Sequence, residues 1–202
     1  MPKIVDHEKR KIEIAEATWK VIAEEGFENA TVRKIAKAAR LSVGSLRYYF
    51  PSQSELFTFS MDLVAERVEK RLKSTKYNGT PLEVLTKIIS EVLPVDKDRR
   101  IEMEVWFVFS AKTLVDPKLK DVSDKDYMNM KRGFEVLLKK LGDSGLLRED
   151  IHLPDEIHRL HALVDGLAIH HLIHPELFTY DDMMNTLIYH LKRLIKMEES
   201  YR

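Results

Sequence analysis

Apolar residues recur at helical spacing along nearly the whole chain, and the strict alternation of a half-buried strand is absent over any useful length. Ile12, Ile14, Ala15, Thr18, Trp19, Val21, Ile22 and Ala23 form one wide stripe, which predicts a helix from about Asp6 to Glu25 that Gly26 ends. Thr31 is a good N-cap for a short helix, TVRKIAKAA, with Val32, Ile35, Ala36 and Ala39 facing inward. Ser42 caps a third, SVGSLRYYF, whose inward candidates are Leu46 and Tyr49 or Phe50. Two short helices joined by a few residues and braced by a longer one make a helix-turn-helix.

Pro51 and Ser52 close that unit, and a long connector helix is expected to follow, up to Ser74. Thr80, Pro81 and Glu83 have capping-box spacing with proline at the first helical position, so another helix runs from Thr80 to about Leu93. Further helices are expected at about 97–114, 124–141, 154–173 and 180–198. The fold class is all-α.

Composition supports a folded, helix-rich protein: 44% of the 202 residues are hydrophobic and 33% charged. Cysteine is absent, which excludes disulfides, thiolate metal sites and a cysteine nucleophile. The amino-terminal stretch MPKIVDHEKRKIEI is charged where a signal peptide needs an apolar run, and VWFVFSA at 105–111 is too short to cross a bilayer. A cytoplasmic location without membrane partners is therefore expected.

The formal net charge is zero, yet its distribution is uneven. Residues 1–50 carry 10 basic against 7 acidic side chains, and Arg33, Lys34, Lys37, Arg40 and Arg47 fall within 31–50 with no acid among them. A basic patch beside a short aromatic helix is the electrostatic footprint of a phosphate-binding surface. A helix starting at Ser42 would present Ser42, Val43, Ser45, Arg47 and Tyr48 to whatever lies before it. A serine hydroxyl can bind a phosphate, valine can touch a thymine methyl, and the arginine fork matches guanine O6 and N7. Tyr48 and Tyr49 offer hydroxyls to phosphate oxygens, while Gly44 removes a side chain that would hold the helix away from the groove.

The stretch EEGFENATVRKIAKAARLSVGSLRYYFPSQSELF, within roughly residues 8–57, resembles the TetR family of bacterial transcriptional regulators. LSVGSLRYYF, followed later by LHALVDGLAIHHLIHPE, looks most like its BetI-like branch. The resemblance implies a helix-turn-helix DNA-binding domain at 1–51 and a helical effector-binding and dimerisation domain at 52–202. It implies a homodimer on a palindromic double-stranded DNA operator, acting as a repressor that a small-molecule effector releases. Carried over by position, Thr31, Tyr48 and Tyr49 match phosphate-gripping residues, with Arg33 added by the basic patch, and Val43, Ser45 and Arg47 match those meeting the groove. Two positions depart from the pattern. Gln53 replaces a phosphate-binding lysine, which lowers the expected salt slope by about 0.9. Arg40 stands at a turn position commonly given to glycine, where a positive φ costs about 1 kcal/mol.

Met103, Trp106, Phe107 and Phe109 supply more apolar bulk than one helical face can use, so that helix is either buried on most sides or lines a cavity. The resemblance favours an effector pocket there, with contributions from Met61, Tyr127, Met128 and Phe134 and with Glu104, Asp165 or His170 orienting the ligand. His158, His161, His170, His171 and His174 lie within 17 residues. A metal site can be drawn from them, but Leu160, Leu163, Val164, Leu167 and Leu172 give the same segment a packing seam, which in the resemblance forms half of a dimeric four-helix bundle. No metal or cofactor is expected. No phosphate loop, HExxH or GxSxG motif is present, so the chain does not read as an enzyme. A helical protein-interaction adaptor without specific DNA binding is the alternative.

Overall fold

The computed structural model describes residues 6–196. These form nine α-helices: α1 His7–Glu25, α2 Val32–Ala38, α3 Val43–Tyr49, α4 Gln53–Ser74, α5 Pro81–Ser90, α6 Lys97–Thr113, α7 Lys120–Asp143, α8 Leu153–Ile173 and α9 Tyr180–Leu194. Among the described residues none is long and apolar enough to cross a membrane. Packing groups the chain into two compact units, one of residues up to 70 together with 101–123, the other of 71–100 together with 124 onward.

In the first unit α1 packs on α2 and α3. Its apolar stripe is buried through Ile14, Ala15, Trp19, Val21 and Ile22, whereas Ala23 is exposed. Ile35 and Ala36 of α2, Leu46 of α3 and Phe50 just after it complete the wall that faces α1, with Leu56, Phe57 and Met61 of α4 in the same core. Thr18, a polar side chain inside this core, donates to the Ile14 carbonyl at 2.9 Å, so it needs no outside partner. Arg67 of α4 lies over the Trp19 ring, pairs with Glu16 of α1 and stands 4.0 Å from the buried carboxylate of Glu102 on α6.

The caps fall where the side-chain chemistry puts them. Asp6, Thr31 and Ser42 accept from the backbone N–H of Lys9, Lys34 and Ser45 at the starts of α1, α2 and α3. Gly26 ends α1 at φ 83°, and Arg40 holds the turn between α2 and α3 at φ 56°. That arginine sits in the left-handed region without the freedom of glycine.

In the second unit α9 packs on both α5 and α8. Met183, Leu187, Leu191 and Leu194 of α9 and Leu160, Val164 and Leu167 of α8 are buried within the chain itself, so most of the expected seam already has a partner here. Thr80 and Thr179 start α5 and α9 with reciprocal capping boxes, to Glu83 and Asp182. The chain turns after Ser90, and this places Glu91 between two arginines: Arg71 Nε reaches its Oε2 at 2.8 Å and Arg99 Nη2 at 2.7 Å. Near the other end of this unit, Glu156 accepts from Arg159 at 2.8 Å and lies 3.0 Å from His190 Nε2.

Three boundaries differ from the sequence pattern. α5 stops at Ser90 instead of Leu93, because Val92 and Leu93 turn into the core. α7 begins at Lys120, four residues early, because a 3-10 turn at Pro117–Leu119 feeds straight into it. α9 ends at Leu194, because Ile195 becomes extended and bridges to Leu147, with Arg148 N–H donating to the Leu194 carbonyl and Lys196 N–H to that of Leu146. Residues 197 and 198, expected in the last helix, lie outside the described residues.

Candidate nucleic-acid interface and effector cluster

Burial of Leu46 and Phe50 fixes the rotation of α3. With that face inward, Ser42, Val43, Gly44, Ser45, Arg47 and Tyr48 are all exposed, Tyr48 at 73%. Thr31 and Arg33 at the start of α2 are exposed too, as are Lys37 and Arg40. A Cβ on Gly44 would meet only Ser42 Oγ at 3.8 Å, an ordinary contact. Among the described residues nothing requires glycine at that position. The Ser42 hydroxyl takes the Ser45 N–H at 3.0 Å and lies 2.8 Å from the Ser45 hydroxyl, so one hydroxyl hydrogen stays available to an outside acceptor.

Tyr49 is half-buried against the core, and Tyr48 meets it edge-on with ring centroids 5.2 Å apart. His7, at the first position of α1, contacts both rings, at 4.9 Å from Tyr49 and 5.9 Å from Tyr48. His7 therefore helps hold the two hydroxyl-bearing rings, a role that no local sequence signal marks. The basic patch is smaller than the sequence implies: Lys34 Nζ pairs with Glu25 Oε2 at 2.6 Å and also donates to Asn29 Oδ1 at 3.3 Å. Gln53 is turned inward, donating from Nε2 to the Ala30 carbonyl at 2.8 Å.

The residues expected around a ligand separate. Met61 and Met103 are buried in the first unit, Met61 within its core cluster, and Trp106 packs against that cluster with its ring edge on Phe107. Tyr127, Phe134, Asp165 and His170 belong to the second unit. Met128 is exposed, and Glu104 half-buried. His170 is exposed and meets Phe178 edge-on; five residues beyond Asp165 on one helix, it points about 140° away from it.

His161, passed over as one of a seam of histidines, is instead the centre of a cluster. It is 3% exposed, stacked on Tyr127 with centroids 4.8 Å apart and tilted against Phe134 at 5.5 Å. Its Nε2 lies 3.7 Å from Asp165 Oδ2, one helical turn on. Burial pushes the Asp165 carboxyl up to about 6 and holds His161 below its ordinary value, with His158 and Lys131 adding to the latter. Both groups are driven toward neutrality, and at 3.7 Å they do not hydrogen-bond. The signal available in the sequence was His and Asp at i and i+4, which a scan for three-ligand metal patterns does not register. Among the described residues no three His, Asp or Glu side chains converge to hold a metal ion.

A family model for the bacterial regulatory proteins of the tetR family matches residues 14–58, and one for the C-terminal part of BetI-type transcriptional repressors matches 81–196. The HTH-type transcriptional regulator PksA of Bacillus subtilis (strain 168) is 40% identical over 195 residues, covering 96% of this chain and 94% of PksA. The HTH-type transcriptional regulator BetI of Pectobacterium atrosepticum is 27% identical over 147 residues, 69% of this chain and 75% of BetI. The crystal structure of a transcriptional regulator from Rhodococcus sp. Rha1 superposes with a TM-score of 0.77 at 26% identity, over 91% of this chain and 95% of that one. The unit of α1, α2 and α3 and the helical C-terminal part are thus each matched by a family model. The chain belongs to the TetR family of bacterial transcriptional regulators, with a C-terminal part of BetI type, and is not an enzyme.

Proposed function

We propose that the protein is a ligand-responsive repressor that binds a palindromic operator as a homodimer and leaves it when a small molecule binds. One observation carries the DNA half of this reading: the inward anchoring of Leu46 and Phe50 leaves every groove-facing candidate of α3 exposed beside the free basic groups of α2. In this reading Val43, Ser45 and Arg47 contact base edges, Thr31, Arg33, Ser42, Tyr48 and Tyr49 contact phosphates, and Gly44 allows close approach. The DNA-binding domain ends at residue 51, and the remainder binds the effector and the second subunit.

Ile173, Leu177 and Tyr189, exposed on and between α8 and α9, supply apolar surface for an isologous dimer. Two recognition helices would then fall one turn of DNA apart, about 34–36 Å. Effector and operator weaken each other by the same factor when they favour different separations of those helices. Effector contacts are assigned to Tyr127, Phe134 and Asp165 of the second unit, joined by His161, while Met61 is assigned to packing.

Selection from random duplex DNA at about 150 mM salt tests the operator reading. A recovered palindrome is the expected result. Arg47→Ala should then cost about 1–3 kcal/mol and relax the preference at one base pair. Retention of unselected sequence by a folded dimer, or affinity unchanged by Arg47→Ala, overturns the assignment.

A further inference from the structure

We propose that His161 and Asp165 bind the effector through a primary or secondary ammonium group, one that carries at least two N–H bonds on an otherwise apolar molecule. The inference rests on the effector reading above and names the chemistry of its ligand. Neither ring nitrogen of His161 has a hydrogen-bond partner among the described residues, although the side chain is buried. Native interiors leave few such groups, because each one costs free energy that a partner would recover. Among the described residues Asp165 pairs with no lysine or arginine, and His161 lies beyond hydrogen-bond reach.

Both groups are acceptors at neutral pH. His161 stays uncharged, since burial and then the nearby charge of Lys131 oppose its protonation, and a neutral imidazole keeps one acceptor nitrogen. Asp165, at about 6, is mostly ionised at pH 7. Two acceptors 3.7 Å apart lie within reach of a single donor nitrogen about 2.9 Å from each, with its two N–H bonds directed about 80° apart. An NH3+ or NH2+ group meets this requirement, and a tertiary or quaternary ammonium does not. Beside the pair, the stacked ring of Tyr127 is 48% exposed and Phe134 lies behind it, an aromatic surface for the ligand's hydrocarbon part and for its charge.

The test titrates the full chain by calorimetry with four probes, hexylammonium, N,N,N-trimethylhexylammonium, hexan-1-ol and hexanoate, each followed by release of a bound operator. Hexylammonium should bind at least 10-fold more tightly than the other three and release the operator. Asp165→Asn should abolish that preference, and His161→Phe, which keeps an aromatic ring in place, should weaken hexylammonium at least 10-fold. The probe comparison stands on the unmodified chain, so a variant that fails to fold does not decide it. Hexan-1-ol binding equally well, or no binding by hexylammonium, overturns the proposal in favour of a water bridging the two side chains. Equal affinity for the trimethyl probe overturns the N–H requirement. Operator release by hexanoate alone overturns the amine and leaves the effector reading standing, whereas hexylammonium bound through Asp165 with the operator retained overturns the effector reading and leaves the site.

Discussion

Two carboxylates in the second unit meet burial in opposite ways. Glu91 is 6% exposed and engaged by Arg71 and Arg99, with Arg71 Nη2 also reaching the Glu91 carbonyl at 3.3 Å. Asp165 is half-buried beside His161, whose nitrogens remain unmatched. The first arrangement is closed: Glu91, joined by Asp96 on Arg99, meets the two guanidiniums and fastens the end of α5 to α4 and α6 residues of the same unit. The second is open, and its cost is recovered only when something else arrives. Burial alone does not separate a structural charge from a functional one; the completeness of its partners does.

The largest expected effect comes from breaking the closed site. Glu91→Leu removes the carboxylate that bridges Arg71 and Arg99, and because both retain some exposure the loss of stability should be roughly 2–4 kcal/mol in denaturant unfolding. A loss below 0.5 kcal/mol would erase the distinction between the two sites.

Acid supplies the next effect. Burial and the charge of Arg159 hold His190 down to about 4, so the folded state resists a proton that the unfolded chain accepts near 6.5. This contribution is complete above pH 6.5 and is lost as pH falls toward 4. Glu156 and Asp165, both raised, titrate in the opposing direction and offset part of it. Taken alone, the His190 contribution amounts to roughly 2–3 kcal/mol between pH 6.5 and 4, and the Asp165 carboxyl returns a large part of it. His190→Gln removes this loss and leaves the gain from Asp165 and Glu156, so stability should rise toward pH 4 relative to the unmodified chain, and an unchanged limb would remove His190 from the account.

Filling the open site should have the reverse sign. His161→Phe removes two unmatched nitrogens while keeping the ring against Tyr127 and Phe134, so thermal unfolding should show a gain of roughly 1 kcal/mol. Stability gained together with effector response lost is the signature of a site kept for function.

The smallest effect concerns the recognition unit. Arg40→Gly relieves a left-handed arginine and should stabilise by roughly 0.5–1 kcal/mol. It also removes a positive charge, so operator affinity should fall and lose part of its salt dependence. Unchanged binding would assign Arg40 to the turn alone.

The helix-turn-helix was legible in the sequence because its determinants are local. Thr31 and Ser42 caps, the Leu46 anchor and the turn at Arg40 each act within a few residues, and all are found in place. The cluster around His161 was only half legible. Tyr127, Phe134 and Asp165 were named, but His161 was assigned to a packing seam, since its burial depends on α7 lying across α8, and no spacing within α8 encodes that. His170 lies away from that cluster for a simpler reason, the rotation of one helix. The partners of Lys34 and Gln53, the Glu25 carboxylate and the Ala30 carbonyl, are not legible from spacing, because they come close only through the turn after α1.

The clasp between Leu147 and Ile195 bears on how the chain resists proteases. Chain ends and exposed loops are ordinarily cut first, independently of one another. Here the loop after α7 and the end of α9 hold each other through Arg148 N–H on the Leu194 carbonyl and Lys196 N–H on that of Leu146. A nick in either segment releases both, so two vulnerable places behave as one, protected together until the first cut and lost together after it.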